Sequence, residues 1–542
     1  MPQTSQRLID AVEAGDVEEV EALCEEGEID IDEREHEGGD TALLIACRKG
    51  CSSIVRVLLE YDANLKLTDD FGSTPFQIAC GEGHVRIVRT FLRAGVDANE
   101  QARPGQDAPL HYANSPEVVQ CLLQYGADVT RRGEQGKTPL FGKTNKAALD
   151  LLLKNGADPN AESYKHVTPL HEACQMGCVP IVKLLLERGA KANAMDSLER
   201  GPMHYASRWG DILAMVKILK QHGACVTWMD MRGRTPLHEA CLGNHCDVAK
   251  WLVEQGCNPI DRDVNGMTAL HFACLCDDFC ADPRPLANWL IDTNHSLVHA
   301  VDSMQRTALH QCCSIPGGFL SQRPEMIMDL VKRGSFINAR DCLGKTPLHL
   351  ACLFNMPQHV HALLRHTWLN VDLNARDSFG WTGLHYACYK GLDDIVKILL
   401  AHGARVDIVN HKGRTPLHVM GISSSRGVHE GSEDESITRA LEAPVRSEQK
   451  NDLYEKLLDL EKDIDQTGKS YSLLLSHGAD ATARDVHGNL PFFLAGTGCL
   501  LNEVYGMVRV AASQGLFESH RRAATPTDSR KRKRADADES HP

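Results

Sequence analysis

The sequence predicts an all-α fold, a solenoid of about 13 helix–turn–helix units. Three observations support this prediction. The stretch TPLHEAC occurs identically at residues 168–174 and 235–241. Related stretches recur with a base period near 33 residues. Within the units, apolar residues follow helical spacing. Repetition at a fixed period indicates a structural building block, because a catalytic motif is normally needed once.

The 13 unit starts share a T-P-L-H-like opening. Consecutive starts are 30 to 39 residues apart, except for a last gap of 75 residues. The starts lie at Thr41, Thr74, Ala108, Thr138, Thr168, Gly201, Thr235, Thr268, Thr307, Thr346, Thr382, Thr415 and Leu490.

Residues 168–197 show how one unit is built. Thr168 is expected to be the N-cap of a first helix, its oxygen accepting a backbone N–H, and Pro169 suits the first helical position. A second apolar helix follows and ends at Gly189. Ordering 33 residues costs roughly 50 kcal/mol at about 1.5 kcal/mol each. A lone helix pair cannot offset this cost by burial, so the units are expected to stack into an elongated array.

The period near 33 residues together with T-P-L-H-x-A resembles the ankyrin repeat, over about residues 38–517. The resemblance implies a protein-binding array. It also implies that the histidine of each opening bonds backbone across a turn, and it assigns that structural role to His111, His171, His204, His238, His271, His310, His349, His385 and His418.

The departures from the period suggest five segments. These are an N-terminal capping half-repeat at 1–37; repeats 1–12 at 38–421, including the first helix of repeat 12; an acidic disordered insertion with an amphipathic helix at 422–469; the last repeats and a C-terminal cap at 470–517; and a disordered tail at 518–542. The amphipathic stretch 453–464 either rests on its own repeat or docks a partner.

Composition limits which cellular compartment and which class of partner we expect. The formal charge of −15 argues against phosphate backbones as ligands of the array. We expect no secretory signal and no membrane span. Eight cysteines occupy one slot, six residues after their unit starts, and are read as small core residues with free thiols: Cys47, Cys80, Cys174, Cys241, Cys274, Cys313, Cys352 and Cys388.

The tail contains an unbroken basic run, Arg530, Lys531, Arg532, Lys533 and Arg534. Short basic clusters of this kind are typical of nuclear import signals, so an import receptor is an expected partner. A solvated charged tail and direct nucleic-acid binding are the alternatives. Acidic residues flank the run and argue against nucleic acid.

No motif predicts catalysis, a cofactor or a small-molecule substrate. The GKT and GKS stretches lack the glycine that a phosphate-binding loop requires. The candidate zinc ligands lie in residues 274–280, CLCDDFC, with His271 nearby. Cys274 already fills a core slot and no CxxC pair is present, so we expect no metal site.

The resemblance places partner binding at the hairpin tips and at the exposed end of each first helix. Two neighbourhoods carry aromatic and arginine residues at such positions, and these residue types dominate binding hot spots. The first comprises Arg208, Trp209, Met231, Arg232 and Arg234, and the second comprises Phe354, Phe379, Trp381, Tyr389 and Lys390. The alternative is that these rings pack against the next repeat.

These observations predict a non-enzymatic nuclear scaffold. The chain resembles ankyrin-repeat transcription coregulators, which hold a transcription factor or cofactor and so modulate target genes, in some cases a gene cluster. A cytosolic adaptor, such as a substrate receptor for a ubiquitin ligase, is the second interpretation. An enzyme with appended repeats lacks space, because only the insertion and the tail lie outside the repeats.

Overall fold

The computed structural model describes residues 2–26, 29–34, 39–103, 105–209, 213–276, 282–314, 324–365, 370–420, 466–481, 483–489 and 491. The chain divides into two compact units, Met1–Val264 and Asn265–Pro542. In the described residues every regular element is a helix, so the predicted all-α class is confirmed.

The first unit contains helix pairs separated by short turns and hairpins. Its helices are α1 Pro2–Ala14, α2 Val17–Glu25, α3 Ala42–Lys49, α4 Ser52–Glu60, α5 Pro75–Gly81, α6 Val85–Arg93, α7 Pro109–Tyr112, α8 Pro116–Gln124, α9 Lys146–Lys154, α10 Pro169–Gln175, α11 Val179–Glu187, α12 Pro202–Trp209, α13 Leu213–Gln221, α14 Pro236–Leu242 and α15 Cys246–Glu254.

The second unit continues the same alternation. Its helices are α16 Ala269–Cys274, α17 Arg284–Thr293, α18 Ala308–Cys312, α19 Pro324–Lys332, α20 Pro347–Leu353, α21 Pro357–Leu364, α22 Gly383–Lys390, α23 Asp393–Ala401, α24 Pro416–Val419 and α25 Gln466–Ser476.

Along each unit, the first helices of neighbouring repeats pack against one another, and so do the second helices. In the first unit α12 packs between α10 and α14, whereas α13 packs against α11 and α15. The alanine five residues after a unit start makes this stacking possible, since Ala206 and Ala240 are fully buried between first helices. The cysteine slot that follows is buried at all eight predicted positions. Burial raises the pKa of these thiols, as at Cys174 and Cys241.

The opening of the repeat folds nearly as its residues predict. Pro169 takes the first position of α10, and Thr168 is the N-cap residue. Thr168 and His171 together form a capping box at this helix start. Nδ1 of His171 accepts the Thr168 N–H at 3.1 Å, and the Thr168 hydroxyl lies 2.9 Å from the same nitrogen.

Between repeats, an aspartate shapes several of the hairpins, and Asn410 takes its place in one of them. Oδ1 of Asp230 accepts the backbone N–H groups of Arg232 and Arg234, both at 2.8 Å. Gly233 has a φ of 71°, and a Cβ there would lie 3.2 Å from the backbone nitrogen of Val264. Glycine is therefore required by both the turn and the neighbouring hairpin.

Two consecutive repeats are short. Pro116 begins α8 early, so α7 is a single turn. The unit that starts at Thr138 departs from the predicted helix pair, because residues 139–142 form turns and only α9 follows.

The buried side chain of Lys143 occupies this region. Its Nζ donates to the carbonyl oxygens of Leu110 at 3.1 Å and His111 at 2.6 Å, at the end of α7. Burial lowers the pKa of Lys143 to about 7. The lysine thus satisfies acceptors that a truncated helix leaves without intrahelical partners.

The repeat that starts at Thr415 is closed by residues far along the chain. Nε2 of His418 donates to the carbonyl of Asn489 at 3.2 Å, and the Val486 N–H donates to the carbonyl of Lys412 at 3.1 Å. Helix α25 packs against α23 and begins before residue 470, where the sequence suggests its start. The amphipathic stretch 453–464, most of the predicted C-terminal cap and the basic tail lie outside the described residues.

Candidate functional site

The periodic histidines hold neighbouring repeats together. Nδ1 of His238 accepts the Thr235 N–H at 3.0 Å, and its Nε2 donates to the carbonyl of Asp261 at 3.1 Å. All nine predicted histidines donate in the same way to a carbonyl of the following hairpin. Burial lowers the pKa of His171, His238 and His385 to about 4. These side chains are neutral structural groups.

The first predicted neighbourhood assembles around a glutamate. Arg208 on α12 places Nη1 3.8 Å from Oε2 of Glu239 on α14, and Nη1 of Arg234 lies 3.4 Å from Oε1 of the same residue. Nε of Arg234 is also 4.0 Å from Oδ2 of Asp263. Two arginines from different repeats therefore share one buried carboxylate, which fixes their guanidinium groups in place.

The remaining members of this neighbourhood are exposed. The Arg208 guanidinium lies 4.7 Å from the centre of the Trp209 ring, which is 46% exposed at the end of α12. Met231 is 56% exposed at a hairpin tip, beside the exposed Arg232. The structure connects Arg208, Trp209 and Arg234 through Glu239, and it sets Met231 and Arg232 on the adjoining hairpin.

The second predicted neighbourhood is only partly assembled. Trp381 is half-buried, with ring centres 5.0 Å from Tyr386 and 5.5 Å from Tyr389. Phe379 is 53% exposed on the hairpin, and Lys390 is exposed at the end of α22. Trp381 thus packs against the first helix of its own repeat. Within the described residues no ring contact joins Phe354, which is half-buried, to this cluster.

Sequence reasoning missed Glu239 and Tyr386. Glu239 occupies the fourth helical position of TPLHEAC, and Glu172 of the other copy likewise accepts from Lys137 Nζ at 2.9 Å. Tyr386 donates through its hydroxyl to Oδ2 of Asp377 at 2.6 Å, and the Lys345 Nζ lies 5.2 Å from its ring centre. The repeated glutamate was a signal for the first contact. The contact of Tyr386 depends on tertiary packing, and no feature of the sequence indicates it.

The described residues do not bring the candidate zinc ligands together. His271 uses both ring nitrogens on backbone groups, accepting the Thr268 N–H and donating to the carbonyl of Arg306. Cys280 lies outside the described residues. Among the described residues no group of three or more histidine, cysteine or carboxylate side chains could hold a metal ion. No helix in the same part of the chain has the length and apolar character needed to cross a membrane.

Stacked helix pairs joined by hairpins with exposed tips define a repeat protein of the interaction-module class. The match to known families is specific. A family model described as ankyrin repeats (3 copies) matches residues 62–133, 110–196, 140–230, 203–282, 278–377 and 366–425. A second, ankyrin repeats (many copies), matches residues 29–79. The chain belongs to the ankyrin-repeat family, as the sequence predicts.

Several curated proteins are similar to parts of the chain. Human ankyrin repeat and SOCS box protein 16 is 32% identical over 183 residues, which span 31% of this chain and 40% of the relative. The E3 ubiquitin-protein ligase KEG of Arabidopsis thaliana is 28% identical over 165 residues, or 29% of this chain and 10% of the ligase. Human transient receptor potential cation channel subfamily A member 1 is 24% identical over 353 residues, or 55% of this chain and 30% of the channel. The chain spans less than half the length of each of these relatives.

Proposed function

We propose that this protein is a non-enzymatic nuclear scaffold, a transcription coregulator that holds a transcription factor or cofactor and modulates target genes. Ankyrin repeats act as protein-interaction modules, and that coarser role follows from the family. The nuclear role depends on one observation, the basic run of residues 530–534. The run carries five consecutive cations, which suits an import receptor whose surface recognises basic peptides.

Partner binding is assigned to the two neighbourhoods. The shared Glu239 holds Arg208 and Arg234 in fixed positions, so these side chains lose little conformational freedom when a partner binds. Trp209 adds exposed aromatic area next to these arginines, and Phe379 adds exposed aromatic area in the second neighbourhood. Preorganised arginine and exposed aromatic rings are the features that concentrate binding energy.

The localisation is tested by deleting residues 530–534 and imaging a fluorescently tagged protein in cells. We expect the tagged protein to move from the nucleus to the cytoplasm. The control deletes residues 535–539, ADADE, which follow the run directly and carry no cation. An unchanged distribution of the first variant refutes the nuclear proposal.

A second candidate is a substrate receptor for a ubiquitin ligase. It is favoured by the printed names of two relatives, one a SOCS box protein and one an E3 ubiquitin-protein ligase. The two functions differ in what happens to the captured partner. A coregulator leaves the partner's abundance unchanged when the gene is deleted, whereas a substrate receptor makes the partner accumulate.

A further inference from the structure

A groove of about 380 Å³ crosses three consecutive second helices of the second unit, α19, α21 and α23. Gln358 and His361 at its edge are exposed, so the groove is open to solvent. Its apolar walls come from Pro324, Met328, Pro357, Ala362 and Ile398. We call this feature the second-helix groove.

Two departures from the repeat create the second-helix groove. Among the second helices that the structure describes between α4 and α23, the fifth residue is polar or charged except in α19, where it is Met328. The sixth residue of these helices is larger than alanine, as at Leu184 and Ile398, except in α21, where it is Ala362. An apolar side chain at a usually polar position thus lies beside an unusually short one. The stacking of repeats does not require this hollow, and a continuous apolar surface of this kind marks a binding site.

The chain enters α25 at the same edge of the second unit. Helix α25 packs against α23, and the Ser470 hydroxyl donates to the carboxylate of Asp393, the first residue of α23. The groove is lined by the first residues of α19 and α21, Pro324 and Pro357. The groove and the start of α25 therefore lie at the same end of neighbouring second helices.

The segment just before α25 has a suitable length and pattern. Residues 453–464, LYEKLLDLEKDI, lie outside the described residues, and their sequence places four apolar residues on one helical stripe: Leu453, Leu457, Leu460 and Ile464. A helix of this length extends about 18 Å. That length matches the two interaxial spacings, each about 8–10 Å, that separate α19 from α23.

Attachment to the chain selects this occupant, whereas charge does not. The groove carries both Glu325 and Arg365, and the segment also carries both signs, so charge favours no particular partner. Asp465 alone separates the segment from Gln466, the first residue of α25. The segment is therefore held beside the groove at a high effective concentration, which a helix from another molecule does not have.

We propose that residues 453–464 form an amphipathic helix that occupies the second-helix groove, with its leucine stripe over Met328, Ala362 and Ile398. An apolar helix face laid into an apolar groove is a recurrent mode of recognition. The segment then rests on three preceding repeats, those that start at Thr307, Thr346 and Thr382. This inference concerns the chain's own packing and does not depend on the proposed function.

Hydrogen exchange of backbone amides, followed by mass spectrometry on the full chain, tests the contact in Met328→Lys and in Ala362→Leu. Each substitution introduces the residue that α11 has at the same position, Lys183 or Leu184, so the array is expected to stay folded. The lysine places a charge in the groove, and the leucine fills it. We expect residues 453–464 to exchange about tenfold faster in each variant than in the wild type.

Gln120→Lys is the matched control. Gln120 is the exposed fifth residue of α8 in the first unit, so this substitution adds the same charge at the same helical position away from the groove. Residues 453–464 should exchange in this variant as they do in the wild type.

A fluorescent peptide with the sequence of residues 453–464 provides a second measurement. Its binding is followed by fluorescence anisotropy in a full chain with Leu457→Glu and Leu460→Glu, whose own segment cannot occupy the groove. We expect this variant to bind the peptide at least about tenfold more tightly than the wild type, in which the attached segment competes. Adding Met328→Lys to the variant should abolish the binding.

Three results would overturn the inference. Residues 453–464 exchange as fast in the wild type as in the free peptide; they are protected equally in the wild type and in Met328→Lys; or their protection is lost on dilution together with a dimer seen by sedimentation, which would assign the groove to a second copy. Protection that persists on dilution and disappears in Met328→Lys supports the attached segment as the occupant.

Discussion

At the scale of single residues, the histidine of the repeat works by being neutral. Its Nδ1 must accept a backbone N–H while Nε2–H donates to a carbonyl, and only the uncharged ring does both. The first unit contains a natural substitute. In the TPFQ start, Gln77 accepts the Thr74 N–H at 2.9 Å and donates to the carbonyl of Asp107 at 2.8 Å. Glutamine therefore reproduces the geometry of the histidine without a titratable group.

Because histidine can be protonated and glutamine cannot, we expect the periodic histidines to make the fold sensitive to acid. The folded pKa of His238 is about 4, below its ordinary value of 6.5, so the folded state binds fewer protons than the unfolded state in this range. The stability that the neutral His238 contributes is fully present above pH 6.5 and decreases as the pH falls towards 4. At pH 5 each such histidine is expected to lower the free energy of unfolding by about 2 kcal/mol relative to neutral pH.

The triple substitution His171→Gln, His238→Gln and His385→Gln is expected to reduce the loss of stability between pH 7 and pH 5. Urea denaturation at both values of pH, followed by circular dichroism, measures the difference. At pH 7 the variant and the wild type should have similar midpoints, because the hydrogen bonds are retained. An equal acid-induced shift in both proteins would show that the buried histidines do not govern it.

At the scale of elements, the two short repeats show how a missing helix is compensated. Residues 139–142 form turns, and the Lys143 ammonium supplies donors to the end of α7. The Gly142 N–H donates to Oε2 of Glu172 at 3.1 Å, which ties the same turn to α10. Side-chain donors and acceptors thus take the place of backbone bonds within a helix.

Lys143→Ala should therefore destabilise the first unit by about 2–4 kcal/mol, since two buried carbonyls lose their donor and a cavity forms. Chemical denaturation compares it with Lys154→Ala. Lys154 is exposed and pairs with Asp150 at 2.7 Å within α9. That control should change stability by less than about 0.5 kcal/mol. Similar effects of the two variants would contradict the capping role of Lys143.

At the scale of the whole molecule, the same small unit is repeated and only its tips are free to vary. Buried alanine and cysteine slots make neighbouring helices fit, so the exposed positions that can vary lie mainly at the hairpin tips and at the ends of the first helices. The two neighbourhoods lie in different units, Met1–Val264 and Asn265–Pro542. Each can therefore be disabled separately.

Trp209→Ala and Trp381→Ala are each expected to weaken capture of a protein partner in affinity purification from cells, with helical content unchanged. We expect the larger loss for Trp209, which is 46% exposed, because Trp381 is half-buried against tyrosines. Phe71→Ala is the control, an aromatic residue 90% exposed on a hairpin outside both neighbourhoods. Full capture by both tryptophan variants would remove these neighbourhoods from consideration.

The sequence by itself determined the repeat, its helices and the fate of the periodic residues. Proline, glycine, histidine and cysteine at fixed spacing each have one local physical role, and the structure confirms the roles of Pro169 at the start of α10, Cys174 in the core and His171 at the hairpin. Local rules sufficed because each repeat meets the same neighbour in the same way.

Only the tertiary structure decided what happens where the repeats differ. Glu239 gathers arginines from two repeats, Lys143 fills the place of a missing helix, and Trp381 turns towards its own repeat instead of the next. The contacts of Arg208 with Glu239 and of Lys143 with the end of α7 join residues more than 30 positions apart, so nothing in a single unit specifies them.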